Sequence, residues 1–387
     1  MSKRANGEGS VYQRQDGRWT AATYVLRSDG GRERRQVYGA TRAAVNAKLQ
    51  ELITKTSQGI PAAGTSWTVE TFAAHWLGTI APGSLRPSTL ANYAWIMRKH
   101  IAPAVGPIKL EKLTPAHVRQ LHSKIAGSGV SARTVQLGHA VLRAMLSEAM
   151  REEYISRNVA SLVRTPRVEA SDVTPWTVEE AATFLQLTAT EQHHELFALA
   201  LALGLRRGEL LGLRWEDIDL ATRKLHVRQT AQRLGAAHGM VIGPPKSARS
   251  RRTIPLPDIA VEKLRSRQRS QRIERELAGE SWQENGLVFS TGIGTIIEPS
   301  NLRRSFDHAI SVAGVRRIRF HDMRHTCASL LLARGVPLRV VMDVLGHSTM
   351  SITSDLYAHV MPSALVDAAS AIDFALASTA TDADPTR

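Results

Sequence analysis

Residues 321–357, HDMRHTCASLLLARGVPLRVVMDVLGHSTMSITSDLY, concentrate side chains that can bind an anion and act as an acid, a base or a nucleophile. They are His321, Arg324, His347 and Tyr357. His321 and Arg324 are three positions apart, so on one helix they share a face. Each residue alone also fits a structural role, because a single tyrosine on an apolar helix usually packs in the core. Two basic residues further upstream favour a catalytic role for these residues over a structural one.

Those two basic residues are Arg206 and Lys246. Arg206 follows the apolar run HELFALALALGL, which predicts a half-buried guanidinium. A buried charge costs several kcal/mol unless it is paired or turned towards an anion. Glu209 is one possible partner, and a phosphate in a cleft is the other. Lys246 lies in the predicted turn GPPKSARS, where lysines are common, so alone it indicates little.

If these six side chains converge, they support phosphoryl transfer. Two guanidiniums hold the non-bridging oxygens of one phosphate and stabilise the added charge of the transition state. A tyrosine hydroxyl, with a free pKa of about 10, needs such a cationic site to become a nucleophile. Lysine is suited to protonate a departing 5′ oxygen, and the histidines to bind the phosphate or move a proton.

The sequence gives no reason to expect a metal or another cofactor. It has no cluster of carboxylates, no paired cysteines and no HExxH motif. It also lacks the Gly-rich loop with Lys-Ser/Thr that binds nucleotide phosphates. A covalent phosphotyrosine keeps the energy of the broken bond, so rejoining needs no cofactor.

Three short helices are predicted to position the C-terminal residues. TCASLLLARG ends at Gly335, and VPLRVVMDVLGH ends at Gly346. A third begins near Ser348 and carries Tyr357. Strands are predicted in KLHVRQTAQRL, RRTIPLP and GLVFS. The result is a mixed, mainly α (α+β) domain over residues 171–365, with a C-terminal helix and disordered tail at 366–387.

Residues 66–165 contain no convincing strand and predict a helical domain of four helices. Thr114 is an N-cap with Pro115 in the first helical position. Its surface carries Arg98, Lys99 and Arg133 as candidate DNA contacts. Mixed with acids, these residues equally fit a solvated face.

Residues 1–60 predict a small module of three short strands and one helix, with a hairpin at Asp16-Gly17. Its third strand carries Arg32, Arg34 and Arg35 as candidate DNA contacts. A basic ribbon can enter a DNA groove. The alternative is a solvated basic hairpin without a partner.

The overall charge fits these assignments. Fifty Lys and Arg against 35 Asp and Glu give a net charge of +15, which suits a polyanion, while 43% apolar residues suffice for packed cores. The single cysteine, Cys327, excludes an internal disulfide and fits a reducing compartment. No signal-peptide core and no apolar run near 20 residues occur, so we expect a cytoplasmic protein without a membrane span.

At these residues the sequence resembles the tyrosine recombinase (phage integrase) family. GLRRGELLGLRWEDID resembles the family's first arginine box, and HDMRHTCASLLLARG its second. GPPKSARSRRTIPLP is similar to the hairpin that bears the catalytic lysine. LGHS matches the His/Trp position, and Tyr357 follows ten residues later. The resemblance thus assigns six catalytic residues: Arg206, Lys246, His321, Arg324, His347 and Tyr357.

The resemblance also implies an organisation and a function. Residues 1–60 would be an arm-type DNA-binding module, 66–165 a core-binding domain, and 171–365 the catalytic domain. A homo-tetramer would exchange strands between double-stranded attachment sites through 3′-phosphotyrosyl intermediates, integrating and excising a phage or mobile element. A directionality factor and a host DNA-bending protein are possible partners. The alternatives are a type IB topoisomerase-like enzyme and a catalytically silent DNA-binding relative.

Overall fold

The computed structural model describes residues 9–26, 31–57, 67–168, 174–234, 239–245 and 250–346. Three of the candidate catalytic residues, Lys246, His347 and Tyr357, lie outside these ranges. The helices predicted after Gly346 lie outside them too. The chain divides into two compact units, residues 1–170 and 171–387.

The first unit begins with a three-stranded antiparallel sheet in the order β1-β2-β3, followed by one helix. Their ranges are Ser10–Gln13 (β1), Trp19–Leu26 (β2), Arg32–Gly39 (β3) and Arg42–Ser57 (α1). Gly17, with φ of +81°, makes the predicted hairpin turn. One sheet face packs on α1 around Ala21, Val45 and Leu49, so the small module has a core of its own.

Residues 67–168 are helical apart from short turns and one isolated bridge between Thr68 and Lys109. The α-helices are Val69–His75 (α2), Pro87–Ile96 (α3), Ala102–Val105 (α4), Pro115–Gly127 (α5) and Ala132–Arg151 (α6). Single π-helical turns extend α2 and join α3 to α4. Thr114 caps α5 as predicted, since its hydroxyl accepts from the His117 N–H.

The second unit begins with the helices Val178–Leu187 (α7), His194–Leu203 (α8) and Arg207–Leu211 (α9). Five short strands follow: Ile218–Asp219 (β4), Lys224–Val227 (β5), Thr230–Arg233 (β6), Met240–Gly243 (β7) and Arg252–Pro255 (β8). The other α-helices in the described part of this unit are Asp258–Ala278 (α10), Pro299–Ala313 (α11), Asp322–Ala333 (α12) and Leu338–Leu345 (α13).

The strands of the second unit form two small sheets, with the orders β4-β5-β8 and β6-β7. The single strand predicted in KLHVRQTAQRL is therefore divided: β5 pairs with β8, and β6 pairs with β7. The strand predicted in GLVFS is wrong, because residues 286–290 make only isolated bridges, Arg214 to Leu287 and Ser290 to Ile296. Their apolar side chains fill the core instead.

The core of the second unit is built on α8, whose residues are buried on every side. Phe197 of α8 packs against Phe184, Phe306 and Phe320, and Phe306 also packs against Phe320. The ring pairs are tilted or edge-on, at centroid distances from 5.4 to 6.3 Å. A helix that is apolar all round belongs in a core, so α8 is the fixed element from which Arg206 extends. The predicted fold class is confirmed: a small sheet with one helix, an all-α domain and a mixed, mainly α domain.

No helix in the described ranges is long and apolar enough to cross a membrane.

Candidate active site

Arg206 is brought into position by a close approach at the end of α8. Gly204 ends that helix with φ of +58°, in the left-handed region. A Cβ at Gly204 would lie 2.3 Å from Cδ2 of Leu345 and 3.2 Å from Sγ of Cys327. Only glycine fits both the conformation and the space. The chain can therefore turn against α12 and α13 and place Arg206 at the start of α9.

The Arg206 guanidinium lies between a buried carboxylate and a helix end. Its Nη1 donates to Oε1 of Glu209 at 2.7 Å, and its backbone N–H donates to Oε2 at 3.0 Å. Its Nη2 donates to the Gly346 carbonyl at 2.8 Å. The side chain remains 35% exposed, so it can still reach a ligand. Glu209 is thus a partner of Arg206, and this pairing leaves the guanidinium open to an anion.

Arg324, in the first turn of α12, is almost wholly buried, at 2% exposure. Its Nη1 donates to the Gly204 carbonyl at 2.6 Å, and its Nη2 donates to the Leu345 carbonyl. Burial, followed by the nearby Arg206 charge, lowers the pKa of Arg324 to about 9. The site therefore disfavours this positive charge, and an arriving phosphate would stabilise it.

Arg252, in β8, is a further member of the site. Its Nη1 and Nη2 donate to the two carboxylate oxygens of Glu209 at 3.2 and 2.9 Å, and its Nε donates to the Val344 carbonyl at 2.7 Å. Burial alone would raise the pKa of Glu209. The hydrogen bonds and charges of Arg252 and Arg206 outweigh it and hold that pKa below its usual range.

Sequence reasoning did not single out Arg252. A signal was available, because side chains alternate along a strand and place Arg252 on the same face as the buried Ile254. An arginine on the core side of a strand requires a buried acceptor. Glu209 supplies it.

Three successive carbonyls at the C-terminal end of α13 each accept a hydrogen bond from one arginine. The pairs are Val344 with Arg252, Leu345 with Arg324, and Gly346 with Arg206. Cations are stabilised there because the last carbonyls of a helix carry partial negative charge. Three guanidiniums and one carboxylate give this group, the arginine cluster, a net charge of +2. That surplus makes it the candidate site for an anion.

His321 lies at the N-cap of α12 and lines, together with Arg206, a cleft of about 900 Å³. Partial desolvation, then the neighbouring His325, Arg324 and Arg206, lower the pKa of His321 to about 4, with Asp322 opposing. The imidazole is therefore neutral near neutral pH. One ring nitrogen can donate to a phosphate while the other accepts a proton.

The structure brings three of the six predicted catalytic residues together: Arg206, His321 and Arg324. It places the candidate DNA contacts in three regions. Arg32 and Arg34 lie on the sheet face away from α1, whereas Arg35 lies on the opposite face. Exposed positions on the helical domain carry the other three, Arg98, Lys99 and Arg133. Within the described ranges, no group of three or more His, Cys, Asp or Glu side chains is placed to hold a metal ion.

Comparison with known proteins accords with this geometry. Residues 174–363 match the phage integrase family, and residues 68–126 match its N-terminal SAM-like domain. An integrase of Streptomyces ambofaciens is 31% identical over 373 residues, covering 92% of this chain and 93% of that one. The chain belongs to the phage integrase family. It is a tyrosine recombinase, a site-specific DNA recombinase by class.

Two further relatives extend the comparison. A tyrosine recombinase XerC-like protein of Caldanaerobacter subterraneus is 29% identical over 346 residues, with 85% of this chain and 88% of that one covered. Among solved structures, a lambda integrase tetramer bound to a Holliday junction superposes with a TM-score of 0.56 at 17% identity. That match covers 92% of this chain and 96% of the lambda chain. At this identity it shows a shared fold.

Proposed function

We propose that this recombinase cleaves and rejoins double-stranded DNA through a 3′-phosphotyrosyl intermediate at Tyr357, and so integrates and excises a phage or mobile element. The arginine cluster carries the proposal. It holds a net positive charge. Its Arg206 guanidinium lines an open cleft together with His321, and the buried Arg324 guanidinium lies near enough to Arg206 for the two charges to interact. This fits a phosphodiester, whose two non-bridging oxygens accept hydrogen bonds from arginine.

In the proposed reaction, Arg206 and Arg324 bind the scissile phosphate and stabilise the charge that develops as its coordination rises to five. The Tyr357 oxygen attacks phosphorus, and the bond from phosphorus to the 5′ oxygen breaks. Lys246 protonates that oxygen. The tyrosine proton passes to His321, where the negative charge of the bound phosphate raises the basicity of the neutral imidazole, or to His347. Rejoining reverses these steps with a 5′ hydroxyl as the nucleophile.

The domain assignments form part of the proposal. Residues 1–60 bind arm-type DNA sites, residues 66–165 bind the core site, and residues 171–365 form the catalytic domain. The helix expected in 366–387 follows the catalytic domain. The lambda integrase tetramer on a Holliday junction supports a homo-tetramer acting on two DNA sites. A directionality factor and a host DNA-bending protein are proposed accessory partners.

Covalent trapping tests the chemistry. Purified full-length protein is mixed with nicked, labelled duplexes from the DNA flanking its gene and analysed on denaturing gels. We expect a protein–DNA adduct with the wild type and none with Tyr357→Phe, because the substitution removes only the nucleophilic oxygen. Tyr154→Phe is the matched control. The Tyr154 ring packs on Trp67 and Phe72 in the helical domain, and this variant should form the adduct normally.

The same experiment separates the alternatives. An adduct with plasmid relaxation but no exchange between two sites would support a topoisomerase-like enzyme. Tight DNA binding without any adduct would support a catalytically silent relative. An adduct that persists in Tyr357→Phe would refute the assignment of the nucleophile.

A further inference from the structure

A second groove, of about 760 Å³, adjoins the candidate active site. Arg207, Phe320 and His321 line both the active-site cleft and this groove, so the two spaces meet at these residues. The far side of the groove is formed by α11 and by the chain leading to α12. All of these parts belong to the second unit of the chain.

Five arginines line the groove: Arg207, Arg303, Arg316, Arg317 and Arg319. Three of them are held by acceptors within the protein. They pair as Arg316 with Glu180 at 3.0 Å, Arg317 with Asp307 at 3.2 Å, and Arg319 with Asp322 at 2.8 Å. In each pair the carboxylate neutralises the arginine, and the pair fixes the position of that arginine in the groove wall.

Arg207 and Arg303 are different. Both are exposed, and neither makes an ion pair or a side-chain hydrogen bond with any part of the chain that the structure describes. They leave the groove with two uncompensated positive charges. Arg207 directly follows Arg206 in sequence, so this surplus charge begins beside the arginine cluster.

The segment between α11 and α12 is held in place by hydrogen bonds of Arg316. The Arg316 guanidinium donates to the carbonyls of Thr174 and Pro175 at 2.9 and 2.7 Å, and the Arg316 carbonyl accepts from Nε1 of the buried Trp176 at 2.7 Å. Along the segment that follows, exposure alternates: Ile318 and Phe320 are buried, while Arg317, Arg319 and His321 are exposed, and all five line the groove. Because every second residue of this extended segment is exposed, two arginines and a histidine form a row along one edge of the groove.

We propose that this groove binds phosphates of the DNA strand next to the scissile phosphate, with Arg207 and Arg303 as the contacting residues. The inference rests on the proposed function, because it takes the phosphate between Arg206 and Arg324 as the start of the track. Arginine forks suit phosphate oxygens, and backbone contacts fix the position of the duplex without reading its sequence. The groove thus sets where the duplex lies relative to the catalytic groups.

The test uses full-length protein and a short labelled duplex of arbitrary sequence, since phosphate contacts need no recognition site. Affinity is measured across about 50 to 200 mM salt for wild type, Arg303→Gln and Arg304→Gln. Arg304 is the matched control. It is the next residue on α11, is exposed, does not line the groove, and bonds to Oδ1 of Asn301 at 2.8 Å.

We expect Arg303→Gln to reduce the slope of log affinity against log salt by about 0.9, the change for one lost phosphate contact on duplex DNA. Arg304→Gln should retain the wild-type slope. Equal reductions in both variants would show a general charge effect and overturn the proposal. So would an unchanged slope in Arg303→Gln. If Arg303→Gln weakens the binding of polyglutamate but not that of the duplex, the proposal is also overturned, and the groove fits an acidic protein instead.

Covalent trapping with saturating DNA distinguishes a failure of the groove proposal from a failure of the proposed function. An adduct from wild type together with an unchanged slope in Arg303→Gln refutes the groove alone. A reduced slope without any Tyr357 adduct refutes the nucleophile and leaves the groove as a DNA-binding surface.

Discussion

Both units of the chain bury polar side chains, but they do so in opposite ways. In the helical domain, His122 and His139 are 8% and 7% exposed, and Nε2 of one lies 3.1 Å from Nδ1 of the other. The pair is neutral and its hydrogen bond is internal. The arginine cluster carries surplus charge and opens on a cleft. A closed, neutral buried pair suits a structural role, whereas an open, charged cluster has the charge and access that ligand binding requires.

The pKa values express the same contrast. Burial lowers the pKa of His122, and burial with the neighbouring His122 and Arg143 charges lowers that of His139. In the part of the chain that the structure describes, the interactions that shift these two pKa values all disfavour the protonated form. In the arginine cluster, Glu209 offsets part of the charge, and the remainder is available to a phosphate.

The largest expected effect comes from removing the carboxylate of the arginine cluster. Glu209→Gln should destabilise the second unit by about 3 kcal/mol, because it leaves Arg206 and Arg252 without their counter-charge in a buried site. Hydrogen-exchange mass spectrometry reports the two units separately and should show faster exchange in α8, α9 and α13. The exchange of the helical domain should not change.

Glu216→Gln is the matched control for this prediction. Glu216 pairs with Arg214 but is 63% exposed, and surface pairs contribute at most about 1 kcal/mol. If both variants exchanged alike, the buried network would contribute no more than a surface ion pair, and the comparison between the two regions would fail.

A smaller effect is expected from the histidine pair. The folded-state pKa of each lies below the ordinary value, so the folded protein binds fewer protons than the unfolded chain as pH falls below about 6.5. The pair's contribution to stability is complete above that value and is lost as pH decreases towards the folded pKa. The loss for the two histidines together should be about 2 kcal/mol near pH 5.

Urea unfolding at about pH 7.5 and 5 measures this loss. The double variant His122→Leu/His139→Leu should flatten the dependence for the helical domain, with the residual slope due to His100, whose pKa is also lowered by burial and by Lys99. A double variant that kept the full pH dependence would assign it to other groups.

The smallest effect concerns His321. The pKa of His321 is about 4 in the protein without DNA. A bound phosphate should raise this pKa, so that the histidine takes up a proton when DNA binds. DNA affinity should therefore increase as pH falls from about 7.5 to 5.5, by less than about tenfold, the equivalent of one pKa unit. His321→Asn should lose that part of the increase. Equal pH profiles for the two proteins would place His321 away from the phosphate.

Much of the fold was predictable because local signals and packing agree. The Asp16-Gly17 hairpin, the Thr114 N-cap and the helix ends at Gly335 and Gly346 all occur where the sequence predicts them. The small sheets of the second unit were harder. β5 and β6 are adjacent in sequence, but β5 pairs with β8 across the two intervening strands, and such long-range pairing leaves no local signal.

Within the site, spacing identified Arg206, His321 and Arg324, because basic residues beside apolar helices need buried partners. It did not identify the carbonyls of Val344 and Leu345 as acceptors, since any residue type supplies a carbonyl. The sequence also gave no reason to expect that Arg303 lines the groove and Arg304 does not. That distinction depends on which face of α11 borders the groove.

The surplus charge of the arginine cluster has a consequence for the lifetime of the protein. A ligand that binds only the folded state stabilises it, by about 2.7 kcal/mol when present at a hundred times its dissociation constant. Molecules without DNA should therefore open locally around α13 more often than molecules on DNA. Proteases cleave opened chains, so degradation should remove the unbound copies first and spare those engaged with a substrate.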